Sequence, residues 1–148
     1  MTASPARLLL LDTTVVVDLL RGTSWGRNIN DKYDLSGRSE RPLLCSVVEG
    51  EVIALARYQG WKADRLSKLR ALFSEFVRIE SSHPAVIDAY ADIYVDARNL
   101  GRHSGPRSQN DLWIAATAKA ADAALLTSDK DFAWMSGRHI EVHYEPRQ

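Results

Sequence analysis

The sequence has a single cysteine, no long hydrophobic run and no excess of charge of either sign. Cys45 cannot form an internal disulfide, which indicates a reducing compartment. Basic and acidic residues number 19 each, which argues against a protein that coats nucleic acid with a strongly basic surface. The balance is compatible with an enzyme that contacts a few phosphates and binds metal through carboxylates.

No apolar segment approaches the roughly 20 residues needed to cross a bilayer. The apolar run at residues 8–11 is too short for a signal peptide, and no small-residue cleavage site follows it. These absences predict a cytoplasmic protein with no membrane partner. With 148 residues, 45% of them hydrophobic, the chain is expected to form a single domain over residues 1–148.

Short apolar runs alternate with helical patterns along the chain. Strands are predicted at residues 8–11, 43–45, 77–79, 124–127 and 140–143. Helices are predicted at residues 15–20, 25–33, 46–58, 63–76, 84–100 and 110–121, with a short one within 128–135. This order predicts an α/β sandwich with a mainly parallel sheet of about five strands, whose ligand site lies beyond the carboxyl ends of the strands.

Local patterns predict details of three helices. Ser46 and Glu49 have the spacing of a capping box. The helix that opens at Pro84 is expected to carry one apolar face, formed by Ile87, Tyr90, Ala91, Tyr94 and Ala97. Residues 102–109 have the composition of a basic polar loop, so the following helix is expected to begin at Asn110.

Four acidic residues lie beside strongly apolar sequence, where an uncompensated carboxylate is costly to bury. They are Asp12, Glu51, Asp111 and Asp129. Each also has an ordinary structural explanation, such as capping a helix or extending from a helix edge to solvent. In the stretch from Ser128 to Asp131, Asp131 is expected to be the capping acid, which leaves Asp129 to face the cleft.

Considered together, the four acids indicate a metal site. Carboxylates gathered in one cleft repel one another unless cations neutralise them. Oxygen ligands suit Mg²⁺ or Mn²⁺, whereas the scattered histidines and the lone Cys45 offer no zinc spacing. Carboxylate-held magnesium suits phosphodiester hydrolysis, because the ion lowers the pKa of a bound water and stabilises charge at phosphorus.

Four segments resemble the motifs of PIN domains in order and spacing. They are LLLLDTTVV at residues 8–16, SVVEGEV at 46–52, NDLWIAA at 110–116 and LLTSDKDF at 125–132, of which the third is the most specific. The resemblance implies a Rossmann-like α/β/α sandwich and Mg²⁺- or Mn²⁺-dependent endoribonuclease activity. Similarity to the toxin half of bacterial VapBC pairs further implies a cognate antitoxin and a homodimer.

The resemblance also implies roles for individual residues. Asp12, Glu51, Asp111 and Asp129 become the catalytic and metal-binding acids. Thr14 is expected to orient Asp12 through its hydroxyl, with Asn110 and Asp131 in support. Whether Asp129 or Asp131 is the fourth acid stays open.

This sequence departs from the family pattern at two places. Val48 stands where the second motif commonly has threonine, which removes a polar contact near the site rather than a metal ligand. Residues 106–109 are interpreted as a lengthened loop before Asp111, which is expected to alter access of RNA.

Basic and apolar residues suggest how RNA and an antitoxin are bound. Arg98, Arg102 and Arg107 precede Asp111 and are predicted to contact RNA phosphates, with ordinary solvated surface as the alternative. The helices between residues 51 and 76 are predicted to form the antitoxin groove, with core packing as the alternative. Their apolar residues are Trp61, Leu66, Leu69, Leu72 and Phe73.

Two other functions were weighed. A catalytically inactive PIN-like module that binds RNA or protein is the main alternative, and the loss of one acid would favour it, but none is missing. A phosphatase of the haloacid-dehalogenase type is disfavoured, because its chemistry requires an aspartate where Thr14 stands.

Overall fold

A single sheet of five strands forms the centre of the molecule. The computed structural model describes residues 7–102 and 106–147, except the side chains of 106–108. The strands are β1 (Leu9–Leu11), β2 (Leu43–Cys45), β3 (Val77–Ile79), β4 (Ala124–Thr127) and β5 (Val142–Tyr144). They are ordered β3-β2-β1-β4-β5 and every neighbouring pair is parallel, which confirms the predicted fold class.

Helices connect successive strands, as parallel pairing requires. The described part of the chain contains α1 (Thr13–Arg21), α2 (Ser24–Tyr33), α3 (Ser46–Tyr58), α4 (Ala63–Ser74), α5 (Pro84–Asn99) and α6 (Pro106–Ala120), with a 3-10 helix at Lys130–Met135. α1 packs against α2 and α3, and α5 packs against α6. None of these helices is long and apolar enough to cross a membrane.

The two central strands, β1 and β4, are buried along their whole length. Both are continuous apolar runs rather than alternating patterns, as expected for strands covered on both faces. Leu10 pairs with Leu125 and Leu11 pairs with Leu126. This register places the residues that follow β1 and β4 side by side at one edge of the sheet.

The predicted capping box at the start of α3 is wrong. β2 continues directly into α3, so Cys45 occupies the N-cap position without a side-chain hydrogen bond. The Ser46 hydroxyl accepts a hydrogen bond from the Ser81 backbone N–H instead, at 3.3 Å. Glu49 accepts two hydrogen bonds from Arg78 of β3, at 2.7 and 2.6 Å, because a bidentate guanidinium is a stronger partner than a backbone amide.

The predicted loop before the third motif is wrong from Pro106 onward. α6 begins at Pro106, since proline is favoured in the first turn of a helix, where its missing N–H costs nothing. The segment interpreted as a longer loop is therefore an extra turn of helix. Asp111 consequently lies beyond the first turn rather than at the helix start.

The apolar face predicted for α5 is also wrong, except for Ala97. The face buried in the core consists of Val86, Ala89, Ile93 and Ala97. Ile87 is 47% exposed, and Ala91 is exposed as well. The helix has apolar residues on two sides, and the sequence pattern alone selected the outer one.

Candidate active site

Asp12 lies at the junction of β1 and α1, where it caps the helix. Its Oδ1 accepts a hydrogen bond from the Thr13 backbone N–H at 2.7 Å. Its Oδ2 accepts one from the Thr127 hydroxyl, at the end of β4, at 2.6 Å. The residue is 6% exposed, so two neighbouring elements hold a nearly buried carboxylate in one orientation.

The surroundings of Asp12 disfavour its negative charge. Burial raises the pKa of Asp12 above its ordinary value, and the hydrogen bonds from Thr127 and Thr13 oppose this without cancelling it. The negative charges of Glu51 and Asp129 raise the pKa further. A cation placed among the three carboxylates would relieve both burial and repulsion.

Glu51 on α3 is half-buried and joins three helices. Its Oε1 accepts a hydrogen bond from the Thr13 hydroxyl at 2.5 Å, and its Oε2 accepts one from the Asn110 amide at 3.1 Å. α1, α3 and α6 therefore meet at this carboxylate. Asn110, which the sequence suggested as a supporting residue, contacts the predicted site through Glu51.

The end of β4 holds Asp129 beside Asp12. The Thr127 hydroxyl donates to Asp12 and accepts from the Asp129 backbone N–H at 2.9 Å. The Asp129 Oδ1 accepts from the Asp131 backbone N–H at 2.9 Å and so caps the 3-10 helix. The prediction that Asp131 is the capping acid is wrong, because the cap lies one residue before the helix and Asp131 lies within its first turn.

The structure corrects the role predicted for Thr14. Its hydroxyl pairs with the Ser128 hydroxyl at 2.8 Å, and the threonine that holds Asp12 is Thr127. The reason is the register of β1 and β4, which brings the residue ending β4 alongside Asp12. Sequence reasoning missed Thr127, Thr13 and Ser128. The available signal was the pair of hydroxyl residues beside Asp12 and Asp129, directly after the two most apolar strands.

The four predicted acids are not all gathered around one point. Asp12, Glu51 and Asp129 are close enough for their charges to interact, and Asp111 is half-buried on α6 next to Asn110. Among the described side chains, no group of three or more His, Cys, Asp or Glu is arranged to hold a metal ion. The donor chemistry still suits a hard divalent cation, because the neighbouring ligand types are carboxylate oxygens.

Cys45 lies below this site and does not add to its chemistry. The thiol is buried at the end of β2, and burial raises its pKa to about 11, with smaller contributions from Asp12 and Glu51. It therefore stays protonated near neutral pH and is neither a nucleophile nor a metal ligand there.

The arginines predicted to contact RNA lie on the surface where their side chains are described. Arg98 and Arg102 are exposed, with guanidinium groups over the rings of Tyr94 and Trp134 at 5.9 and 6.0 Å from the ring centroids. The side chain of Arg107 lies outside the described part of the chain. Trp113 stacks on Tyr90 with 3.9 Å between ring centroids, so it packs between helices α5 and α6.

A groove of about 670 Å³ lies between α3 and α4. Its apolar lining residues are Ile53, Ala56, Leu66, Leu69, Phe73 and Phe76. Arg57, Arg70 and Arg78 also line it, and only Arg78 is paired there, with Glu49. Of the residues predicted to form an antitoxin groove, Leu66, Leu69 and Phe73 line it, while Trp61 is buried in the core.

Comparisons with solved structures give a consistent likeness in fold. The chain resembles VapBC2 from Rickettsia felis bound to a DNA fragment from its promoter, with a TM-score of 0.76 and 20% identity over 93% of this chain and 98% of that one. It also resembles VapBC-1 from nontypeable Haemophilus influenzae, with a TM-score of 0.73 and 19% identity over 93% and 97%. FitAcB from Neisseria gonorrhoeae matches with a TM-score of 0.65 and 21% identity over 94% and 98%.

Comparison with known sequences and families agrees with the fold. No curated protein sequence matches the chain. A family model for the PIN domain matches residues 9–137, which include Asp12, Glu51, Asp111 and Asp129. The chain therefore belongs to the PIN-domain family.

Proposed function

We propose that this protein is a Mg²⁺- or Mn²⁺-dependent endoribonuclease, the toxin of a type II toxin–antitoxin system acting in the cytoplasm. The observation that carries the proposal is the buried Asp12 carboxylate. It lies at the carboxyl edge of a PIN-domain sheet and is repelled by Glu51 and Asp129. Such a destabilised carboxylate is expected at a functional site and is hard to explain as a structural cap alone.

Asp12, Glu51, Asp111 and Asp129 are the residues proposed to hold the ion. When bound, the cation supplies positive charge that stabilises the developing charge on a phosphodiester and makes an attacking water more acidic. The hydrogen bonds from Thr127, Thr13 and Asn110 orient Asp12 and Glu51 before RNA arrives. Fixing charged groups in advance avoids the cost of reorganising them during the reaction.

The proposed RNA contact is electrostatic rather than sequence-specific. The exposed guanidinium of Arg102, with Arg107 on α6, is proposed to bind phosphates and so to offset the repulsion between RNA and the acidic site. Such contacts predict that cleavage weakens as the salt concentration rises, since counterion release is lost.

The first test is cleavage of structured and unstructured RNAs by the purified protein in EDTA, Mg²⁺ and Mn²⁺. Asp111→Asn should lower the rate by about 100-fold or more, the scale expected when a group that stabilises transition-state charge is lost. Glu49→Gln is the matched control. It removes an acid two residues from Glu51 whose printed partner is Arg78, so the rate should stay within about twofold.

Cation binding is measured separately as a shift in the thermal unfolding midpoint. A bound ligand stabilises the folded state, so Mg²⁺ or Mn²⁺ should raise the midpoint of the wild type and raise it less for Asp111→Asn. Absence of both cleavage and a cation-dependent shift would favour the alternative, a catalytically inactive PIN-like module that binds RNA or protein.

We also propose a cognate antitoxin as a partner, because the resembled solved structures are by title VapBC toxin–antitoxin assemblies. The groove between α3 and α4 suits an amphipathic segment whose apolar side chains meet Leu69 and Phe73. Acidic residues beside them would meet Arg57 and Arg70 at the groove. A homodimer of the toxin completes the proposed assembly.

The partner proposal is tested by co-purification with the product of the gene next to this one. Phe73→Asp places a charge in the groove and should abolish co-purification. Tyr58→Asp is the control, since Tyr58 is 91% exposed and does not line the groove. Co-purification that survives Phe73→Asp would place the partner elsewhere.

A further inference from the structure

α5 presents a second, exposed face opposite the one that packs in the core. Asp88, Ala91, Val95 and Arg98 are all exposed and follow one another at spacings of three, four and three residues. Residues at this spacing lie along one side of a helix. Val95 is 58% exposed, which is unusual for a β-branched apolar side chain in a folded helix.

The row reads the same from either end in size and with opposite charge. It runs acid, small apolar, larger apolar, base, and it is symmetric about Ile93. If a second copy of α5 is laid antiparallel on the first, Ala91 lies opposite Val95 and Asp88 lies opposite Arg98. A surface that complements itself in this way is what a two-fold interface requires.

Neither charged residue of the row has an opposite charge within the described part of the chain. Asp88 takes part in no ion pair there, and Arg98 contacts only Tyr94, whose hydroxyl lies 3.4 Å from the guanidinium. The small side chain of Ala91 leaves room for two helices to approach to about 8–10 Å, the usual distance between packed helix axes.

We propose that a second copy of this chain docks on α5 through Asp88, Ala91, Val95 and Arg98. Arg98 of one copy then pairs with Asp88 of the other, which assigns Arg98 to the interface and leaves phosphate binding to Arg102 and Arg107. The inference rests on the proposed homodimer and is independent of the proposed nuclease activity.

The test is the mass of the purified protein by light scattering over a range of concentrations. The wild type should be a dimer. Val95→Asp, Asp88→Arg and Arg98→Asp should each raise the dimer dissociation constant by about tenfold or more, because each places like charges or a buried charge at the interface. The double variant Asp88→Arg/Arg98→Asp should restore dimerisation, which loss of folding cannot imitate.

Asp64→Arg is the matched control, since it reverses an exposed acid on α4 and should leave the dimer unchanged. A wild-type dimer that Val95→Asp leaves intact, or a charge swap that restores nothing, overturns this interface but keeps the homodimer. A monomeric wild type overturns both. RNA cleavage is read in a separate assay, so either result leaves the nuclease proposal to be judged on its own.

Discussion

The charge on Asp12 opposes folding while it serves the proposed function. Burial and the charges of Glu51 and Asp129 raise its pKa in the folded protein above the ordinary value of 3.8. The folded state therefore binds a proton more readily than the unfolded state between these two pKa values. Stability from this group is highest below pH 3.8 and falls as the pH rises through the raised folded pKa.

Asp12→Asn should therefore stabilise the protein while it abolishes RNA cleavage. In EDTA at pH 7 the free energy of unfolding should rise by about 0.5–2 kcal/mol, the range of single stabilising substitutions. Urea unfolding at pH 7 and at pH 3.5 measures this, and the gain should vanish at the lower pH, where wild-type Asp12 is protonated in both states. Destabilisation at pH 7 would mean that the hydrogen bonds from Thr13 and Thr127 outweigh burial.

Thr127→Val should destabilise the fold and impair cleavage, because it keeps the shape but removes the hydroxyl that joins Asp12 to the Asp129 backbone. Losing a buried hydrogen bond to a charged group costs about 1.5–3 kcal/mol of unfolding free energy. Thr127→Ser retains the hydroxyl and should recover most of the activity. Equal loss of activity in the valine and serine variants would show that the methyl group, not the hydroxyl, matters.

The acids of the site were predictable from the sequence, whereas the groups that hold them were not. Asp12 and Asp129 stand directly beside apolar strands in motifs with fixed spacing. Which of the nearby hydroxyls faces Asp12 depends on the register between β1 and β4, strands separated by more than a hundred residues. No local pattern encodes that register, so Thr14 was chosen in place of Thr127.

Packing of α2 against α1 depends on the absence of a side chain at Gly26. A Cβ at this position would lie 2.5 Å from the Asp18 carbonyl oxygen and 2.7 Å from its carbon, both backbone atoms. Neither can move without displacing α1, the helix that begins at Asp12. Gly26 thus sets how closely these two helices approach.

Gly26→Ala should lower the free energy of unfolding by about 1–3 kcal/mol, the usual cost of overpacking. Gly50→Ala on α3 is the control, since nothing lies within 4 Å of the added methyl group. There the gain in helix propensity should raise stability by about 0.5–1 kcal/mol. Chemical unfolding of both variants decides the matter, and stabilisation of Gly26→Ala would contradict the close packing.

Helices and strands differed in how well the sequence located them. The buried strands were found because short apolar runs bounded by polar residues have few alternatives. Helix starts were misplaced where a strand continues directly into a helix, as at Cys45, or where a proline begins one inside a basic stretch, as at Pro106. The outer face of α5 was mistaken for the core face because an apolar surface that awaits a partner has the same pattern as a buried one.

Across the whole molecule, the last described residues tie α1 and α2 to the edge of the sheet. The Glu145 carboxylate accepts hydrogen bonds from Lys32 and Tyr33 of α2. The Trp25 indole donates to the Pro146 carbonyl, and the Arg147 guanidinium lies over the Trp25 ring. Residues distant in sequence thus enclose the helix that leads from the candidate site.

The innermost contact of this segment compensates a buried charge. Asp18 on α1 is 2% exposed, and its Oδ1 accepts hydrogen bonds from the Thr23 hydroxyl at 2.9 Å and from Arg147 at 3.1 Å. A carboxylate in this position is costly unless a cation or several donors satisfy it. Arg147 is half-exposed, so its contribution is smaller than that of a fully buried partner.

Arg147→Ala should lower the free energy of unfolding by about 1.5–3 kcal/mol, because Asp18 keeps its charge and loses a charged hydrogen-bond donor. In an Asp18→Asn background the same substitution should cost less than half as much, since no buried charge is left uncompensated. Urea unfolding of the four proteins completes a double-mutant cycle, which isolates the pairwise energy from the stacking of Arg147 on Trp25. Equal costs in the two backgrounds would show that Arg147 stabilises the fold through Trp25 alone.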